Sequence, residues 1–182
     1  MNLKILDLSV ESLTQAPEFD RFPFSCKYCL YWEHPEKMQD TAPGWQERAF
    51  KEKLCWIEKV GREFGSCGKI LLLDGEGAVY SQYGPPEFFP NATEYPSGPL
   101  SEDAVFLACL FVGNKKFSGL GLGKRLLHEI IEELRKKGVE ALETFARKGE
   151  LENPSGPLEL YLNSNFHILR DGAEYPLVRL NL

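Results

Sequence analysis

Three alternate glycines, Gly119, Gly121 and Gly123, stand among Lys115, Lys116, Lys124 and Arg125, and no acid occurs between 115 and 125. Glycines at this spacing let the backbone come close to a ligand and take up angles closed to other residues. The basic side chains supply counter-charge. The whole chain has a formal net charge of -6, so a basic island within it points to one bound anion, not to a surface for polyanions. A second group with chemical spacing is Cys26-Lys-Tyr-Cys29, suited to redox exchange or to half of a metal site. Zinc asks for a full tetrahedral ligand set. The sequence has no second close pair, so His34, Cys55 and Cys67 would have to complete such a site in space.

The elements that must position the glycines are legible on both sides. Ala104 to Val112 is a continuous apolar run, as expected of a strand covered on both faces. Leu126, Leu127, Ile130, Ile131 and Leu134 form the inward stripe of a helix from about Leu122 to Lys137, with Glu132/Lys136 and Glu133/Lys137 paired outside and Gly138 as its stop. Strand, glycine loop and helix together aim the first N–H groups of the helix, and the positive end of its dipole, at the loop. A strand at 139–147 should run parallel to the first, because a strand–helix–strand crossover is right-handed and parallel.

Upstream, 3–8 alternates as a strand, and 45–63 is an amphipathic helix with Trp45, Ala49, Phe50, Leu54, Trp56, Ile57 and Val60 on one broad face. Segments 69–73 and 78–82 flank Asp74-Gly75 as a hairpin. The stretch 21–34 holds the cysteine pair among aromatics. The connection 83–103 carries Pro85, Pro86, Pro90, Pro96 and Pro99, and its Phe88, Phe89 and Tyr95 should pack it down. Downstream come a short helix at 158–163 and closing strands at 166–169 and 175–181.

The 182 residues, 43% hydrophobic and 26% charged, suit a single domain with a real core. No apolar run is long enough for a membrane-spanning helix, and the first residues do not resemble a signal peptide. A cytoplasmic protein with reduced thiols is expected from five cysteines and no secretory signal. Without secretion, the sequon at Asn91 carries no meaning. The acidic balance argues against nucleic acid as partner.

The glycine spacing matches neither the P-loop pattern nor the dinucleotide fingerprint. It does resemble the acyl-CoA loop of the GNAT superfamily, [Q/R]-x-x-G-x-[G/A]. Gly121-Leu122-Gly123 fills its last three positions, and Lys124 to Leu127 continues as that family does. Asn153 followed by Leu160-Tyr161-Leu162-Asn163-Ser164-Asn165-Phe166 is similar to the family's N…(L/F)-Y-x-x-x-G-F segment. Ser118 stands where the family has Gln or Arg, Asn165 stands for the glycine, and Gly113 lengthens the link from strand to loop. Asn tolerates the left-handed angles of the glycine it replaces.

The resemblance implies an α/β (α+β) fold, with a central mixed, mostly antiparallel twisted sheet of about six to seven strands and helices on both faces. One parallel strand pair would be splayed to accept the cofactor. It implies one domain over 1–182, with 20–67 as a Cys- and aromatic-rich insertion on the acceptor side. The implied activity is acetyl-CoA-dependent N-acetylation of a primary amine, on a small molecule or peptide; dimers are common in the family, so a homodimer is an open option, and neither nucleic acid nor membrane is expected as a partner. The pantetheine arm of coenzyme A would lie along Leu110, Phe111, Val112 and Gly113. Its pyrophosphate would lie on Ser118, Gly119, Leu120, Gly121, Leu122, Gly123 and Lys124, with Asn153 as a further contact. Tyr161 would donate a proton to the leaving thiolate or hold the thiol. Tyr28, Tyr31, Trp32 and Glu33 are candidate acceptor contacts, and Glu102, Asp103, Glu87 and Glu143 candidate bases, none singled out. Two other readings stay open: an acyl-CoA-binding module without catalysis, and a metal or thiol switch at Cys26/Cys29.

Overall fold

A computed structural model describes residues 2–19, 21–149 and 155–182. Its centre is a seven-stranded sheet in the order β1-β2-β3-β4-β5-β7-β6. The strands are β1 Leu3–Asp7, β2 Gly68–Leu73, β3 Glu76–Gly84, β4 Ala104–Val112, β5 Ala141–Phe145, β6 His167–Arg170 and β7 Leu177–Asn181. Every pair is antiparallel except β4–β5, which is parallel as the intervening helix requires. Among the described residues three α-helices complete the fold: α1 Trp45–Glu63, α2 Leu122–Lys136 and the short α3 Leu158–Leu162. The mixed, mostly antiparallel architecture is the one expected. Among the described residues no helix is long and apolar enough to cross a membrane.

Each face of the sheet buries its own core. Against α2 lie Val79, Tyr83, Val105, Leu107, Leu110 and the α2 stripe from Leu126 to Leu134. Against α1 lie Ile70, Tyr80, Phe106, Ala108, Cys109 and Phe145, with Trp56, Ile57 and Val60 from the helix. Phe88 and Phe89 are buried in this second core, as their spacing in the proline-rich connection predicts. Tyr95 stacks on Phe145 with ring centroids 4.5 Å apart.

Two local features give the sheet its particular shape around β4. The β3–β4 register shifts between Gln82 and Tyr83, so that Gln82 faces Cys109 and Tyr83 faces Leu107, with Ala108 the extra residue of a bulge. Ala108 and Cys109 therefore point to the same face, the α1 side. The chain before α1 also crosses over the ends of β3 and β4. A Cβ on Gly77 would lie 2.2 Å from the Gln15 carbonyl, and one on Gly113 would lie 2.3 Å from Pro17 Cβ. Only glycine fits beneath this crossing.

Candidate active site

β4 pairs with β5 only through Ala104, Val105 and Phe106. From Leu107 to Val112 the β5 side of β4 has no strand partner among the described residues. The two strands splay, and a length of free edge opens. Thr144 of β5 reaches across the crotch and donates from Oγ1 to the Leu107 carbonyl at 2.7 Å. The other end of this edge runs to the glycine loop, where a Cβ on Gly123 would meet only Val112 Cγ2, at 3.8 Å.

The loop has the geometry of an anion cradle. Gly119 and Gly121 adopt φ of +76° and +73°, with nothing within 4 Å of where a Cβ would stand. Gly121 is the N-cap of α2 and no side chain caps it, so the first N–H groups of the helix are left for a ligand. The Ser118 N–H does not belong to the cradle. It donates to the Lys115 carbonyl at 3.0 Å, closing the short turn Lys115–Phe117. Lys116 is drawn 2.6 Å from Glu76, while Lys124 is exposed beside the loop. Leu110 is buried in the α2-side core, Phe111 and Val112 are half-buried, and Leu120 is exposed. Gly113 donates its N–H to the Ala78 carbonyl at 3.0 Å.

Tyr161 is fully buried, edge-on to Phe166 at 5.2 Å, and its hydroxyl donates to the Ser155 carbonyl at 3.3 Å. Burial pushes its pKa up, and the neighbouring Thr144 hydroxyl draws it part of the way back, so it remains a protonated donor at neutral pH. Tyr161 is thus linked through Thr144 to the point where β4 leaves β5. Asn165 adopts φ of +67°, the left-handed angle its family position demands. Asn153 lies outside the described residues.

On the α1 face a cavity of about 400 Å³ reaches the same stretch of β4. Cys109 and Phe111 line it, together with Cys26, Cys29, Tyr31 and Trp32 from the aromatic segment. At its floor lies a buried polar network. Lys53 of α1 donates to Glu33 and, at 3.0 Å, to Gln82 Oε1. Gln82 Nε2 donates to the other Glu33 oxygen at 3.1 Å, and the Tyr80 hydroxyl donates to Gln82 Oε1 at 2.7 Å. Burial alone would lower the pKa of the Lys53 ammonium. The Glu33 carboxylate outweighs it and holds the pKa above the usual lysine range. The Trp32 indole N–H, buried beside Cys109, makes no hydrogen bond of normal geometry.

No protein-family model and no curated protein matches the chain. Solved structures do. PaiA N-acetyltransferase from Thermoplasma acidophilum, in complex with coenzyme A, is similar at TM-score 0.61 and 15% identity over 100% of both chains. A Desulfovibrio desulfuricans protein described as an acetyltransferase of the GNAT family is similar at TM-score 0.55 and 17% identity, with 99% of each chain covered. The ribosomal-protein-S18-alanine N-acetyltransferase of Escherichia coli is similar at TM-score 0.54 and 19% identity, over 99% of this chain and 94% of that one. The chain has the GNAT fold.

This GNAT fold runs the free edge of β4 from the Thr144 contact at Leu107 to the glycine loop beside Val112. The candidate bases are engaged by other side chains or exposed. Glu143 is buried and held by the Ser101 N–H at 2.9 Å, the Ser101 hydroxyl at 2.6 Å and Arg179 at 2.9 Å. Asp103 is paired in two-pronged fashion with Arg179 at 2.9 and 2.6 Å, and Glu87 and Glu102 are exposed. Tyr28 leaves the cavity and packs against Trp45 and Phe50. Cys26 and Cys29 enter it as thiols whose pKa burial raises. No metal-holding cluster occurs among the described residues.

Lys53, Gln82 and Tyr80 are absent from any motif. Lys53 has one signal: it falls with Ala49, Trp56, Ile57 and Val60 on the inward stripe of α1, a charge at a core position.

Proposed function

We propose that the chain is an acetyl-CoA-dependent N-acetyltransferase acting on a primary amine. One observation carries the reading. The free edge of β4 runs without interruption from the anion cradle at 119–124 to the cavity on the α1 face. A phosphate-bearing thioester on one side and an amine on the other would meet there. The coenzyme A bound by the Thermoplasma neighbour supports the choice of cofactor.

The residues fit that group. Gly119 and Gly121 leave open the space a pyrophosphate needs, the α2 N–H groups and Lys124 supply positive charge, and Leu107 to Val112 offer backbone partners for an extended arm. The group supplies an activated acyl thioester. The chain would position it and keep Tyr161 protonated as the donor to a departing thiolate, with 21–67 supplying the acceptor side.

Acetyl-CoA at about a hundred times its Kd should stabilise the fold by roughly 2.7 kcal/mol, seen as a raised melting temperature. No shift at saturation overturns the reading. Tyr161→Phe should keep that shift and lower thiol release against an amine library; unchanged release rejects the role of Tyr161. A shift without thiol release from any amine would favour a binding module.

A further inference from the structure

We propose that the cavity on the α1 face binds a small primary amine with an apolar, ring-sized body, held as an ammonium by the Glu33 carboxylate. The proposal rests on the acyl-transfer reading above, in which this amine is the acceptor.

The walls define the body of the ligand. Phe19, Phe22, Tyr31, Trp32, Tyr95 and Tyr175 surround a volume of about 400 Å³, near the lower end of small-molecule sites. Rings favour a flat apolar group and tolerate a cation over their faces. An extended peptide would need free backbone edges, and the free edge at hand, 107–112 of β4, is the one proposed to hold the cofactor.

The floor defines its head. Glu33 is 3% exposed, and two donors, Lys53 and Gln82, occupy part of its acceptor capacity. A carboxylate offers about four lone-pair sites, so an ammonium can still be received. A buried ion pair is a poor stability device, since apolar replacements of the same volume are often neutral or better. Its place beneath a cavity points to a ligand instead. The network also sits at the right corner. Gln82 faces Cys109 across β3–β4, beside the bulge, where the free edge of β4 begins. The Trp32 N–H, buried beside Cys109 without a hydrogen bond of normal geometry among the described residues, is a second sign that a ligand completes this corner.

The test uses the intact chain with acetyl-CoA and three acceptors: phenethylamine, a short peptide with a free N-terminus, and a capped peptide bearing one lysine. Thiol release is followed alongside the acetyl-CoA thermal shift. Phenethylamine should be used with kcat/KM at least about tenfold above either peptide. A preference for a peptide overturns the acceptor class and leaves acyl transfer standing. A normal acetyl-CoA shift with no release from phenethylamine also overturns it. Loss of both shift and release overturns the acyl-transfer reading itself. Glu33→Gln should raise the KM for phenethylamine roughly ten- to a hundredfold, the worth of one charge-assisted hydrogen bond, with the acetyl-CoA shift retained; an unchanged KM overturns the role of Glu33. Should that variant fail to fold, Phe22→Ala at the rim, where Phe22 is 42% exposed, should raise the same KM about threefold to tenfold. An unchanged KM there overturns the cavity as the binding site.

Discussion

On the α2 face the candidate site is made of backbone: a free strand edge, two glycines at positive φ and the open N-terminus of a helix. On the α1 face it is made of side chains from separate segments, with Glu33, Lys53, Gln82 and Tyr80 tied together under a roof of rings. The first construction suits a ligand group that never varies, because backbone N–H groups offer the same contacts whatever the neighbouring side chains. The second suits a group that varies, because exchanging a few side chains changes its shape and charge. Charge is handled accordingly. On the α2 face it stays at the rim, where Lys69, Lys137 and Tyr83 all bond Glu133. On the α1 face it is buried outright.

The largest effect should come from breaking the buried pair. Lys53→Met alone leaves Glu33 without a counter-charge and should cost about 3–5 kcal/mol in urea unfolding. Lys53→Met combined with Glu33→Leu should recover most of that loss while abolishing use of the amine. A single variant as stable as the parent would erase the contrast between the two faces. Next in size is Gly121→Ala. The added Cβ meets nothing within 4 Å, so the penalty is conformational alone, about 1–2 kcal/mol for a left-handed residue. The methyl group also stands over the cradle and should shrink the acetyl-CoA shift. A full shift would remove Gly121 from the site.

The smallest effect should be at Glu133. Burial alone would raise its carboxyl pKa, but the bonds from Lys69 and Lys137 outweigh this and lower it. A lowered carboxyl contributes stability that is present above its unfolded value and is lost as pH falls through its folded one. Glu133→Gln should therefore cost about 0.5–1 kcal/mol at pH 7, with the gap to the parent closing below about pH 4. A gap that persists in acid would mean that shape, not charge, holds this rim.

The same contrast explains what could be seen in the sequence. The cradle was legible because glycine spacing, an apolar strand and a helical stripe are local, and each constrains its neighbours. The fold followed from the order of such elements, and the bounds of β4 and α1 agree with those the pattern gives. The α1-side network was not legible as a set. Glu33, Lys53 and Gln82 lie in a loop, a helix and a strand, and only the tertiary fold brings them into bonding distance. Glu143 shows the converse. In sequence it is an acid in the right region, while in the fold Arg179 and Ser101 consume it. Nor does the pattern show that Ser118 spends its N–H on a local turn.

The bulge at Ala108 makes β4 a matter of reading frame. Strand side chains alternate with a period of two, so one residue more or less exchanges the faces of everything beyond it. With the bulge in place, Cys109 and Phe111 look into the amine cavity while Leu110 looks toward α2. Were Ala108 drawn into regular alternation instead, Cys109 and Phe111 would turn into the α2 core and Leu110 into the cavity. Deleting Ala108 removes the extra residue and the bulge together, so a shortening of the gene by one codon at this point would leave the linings of both sites where they are.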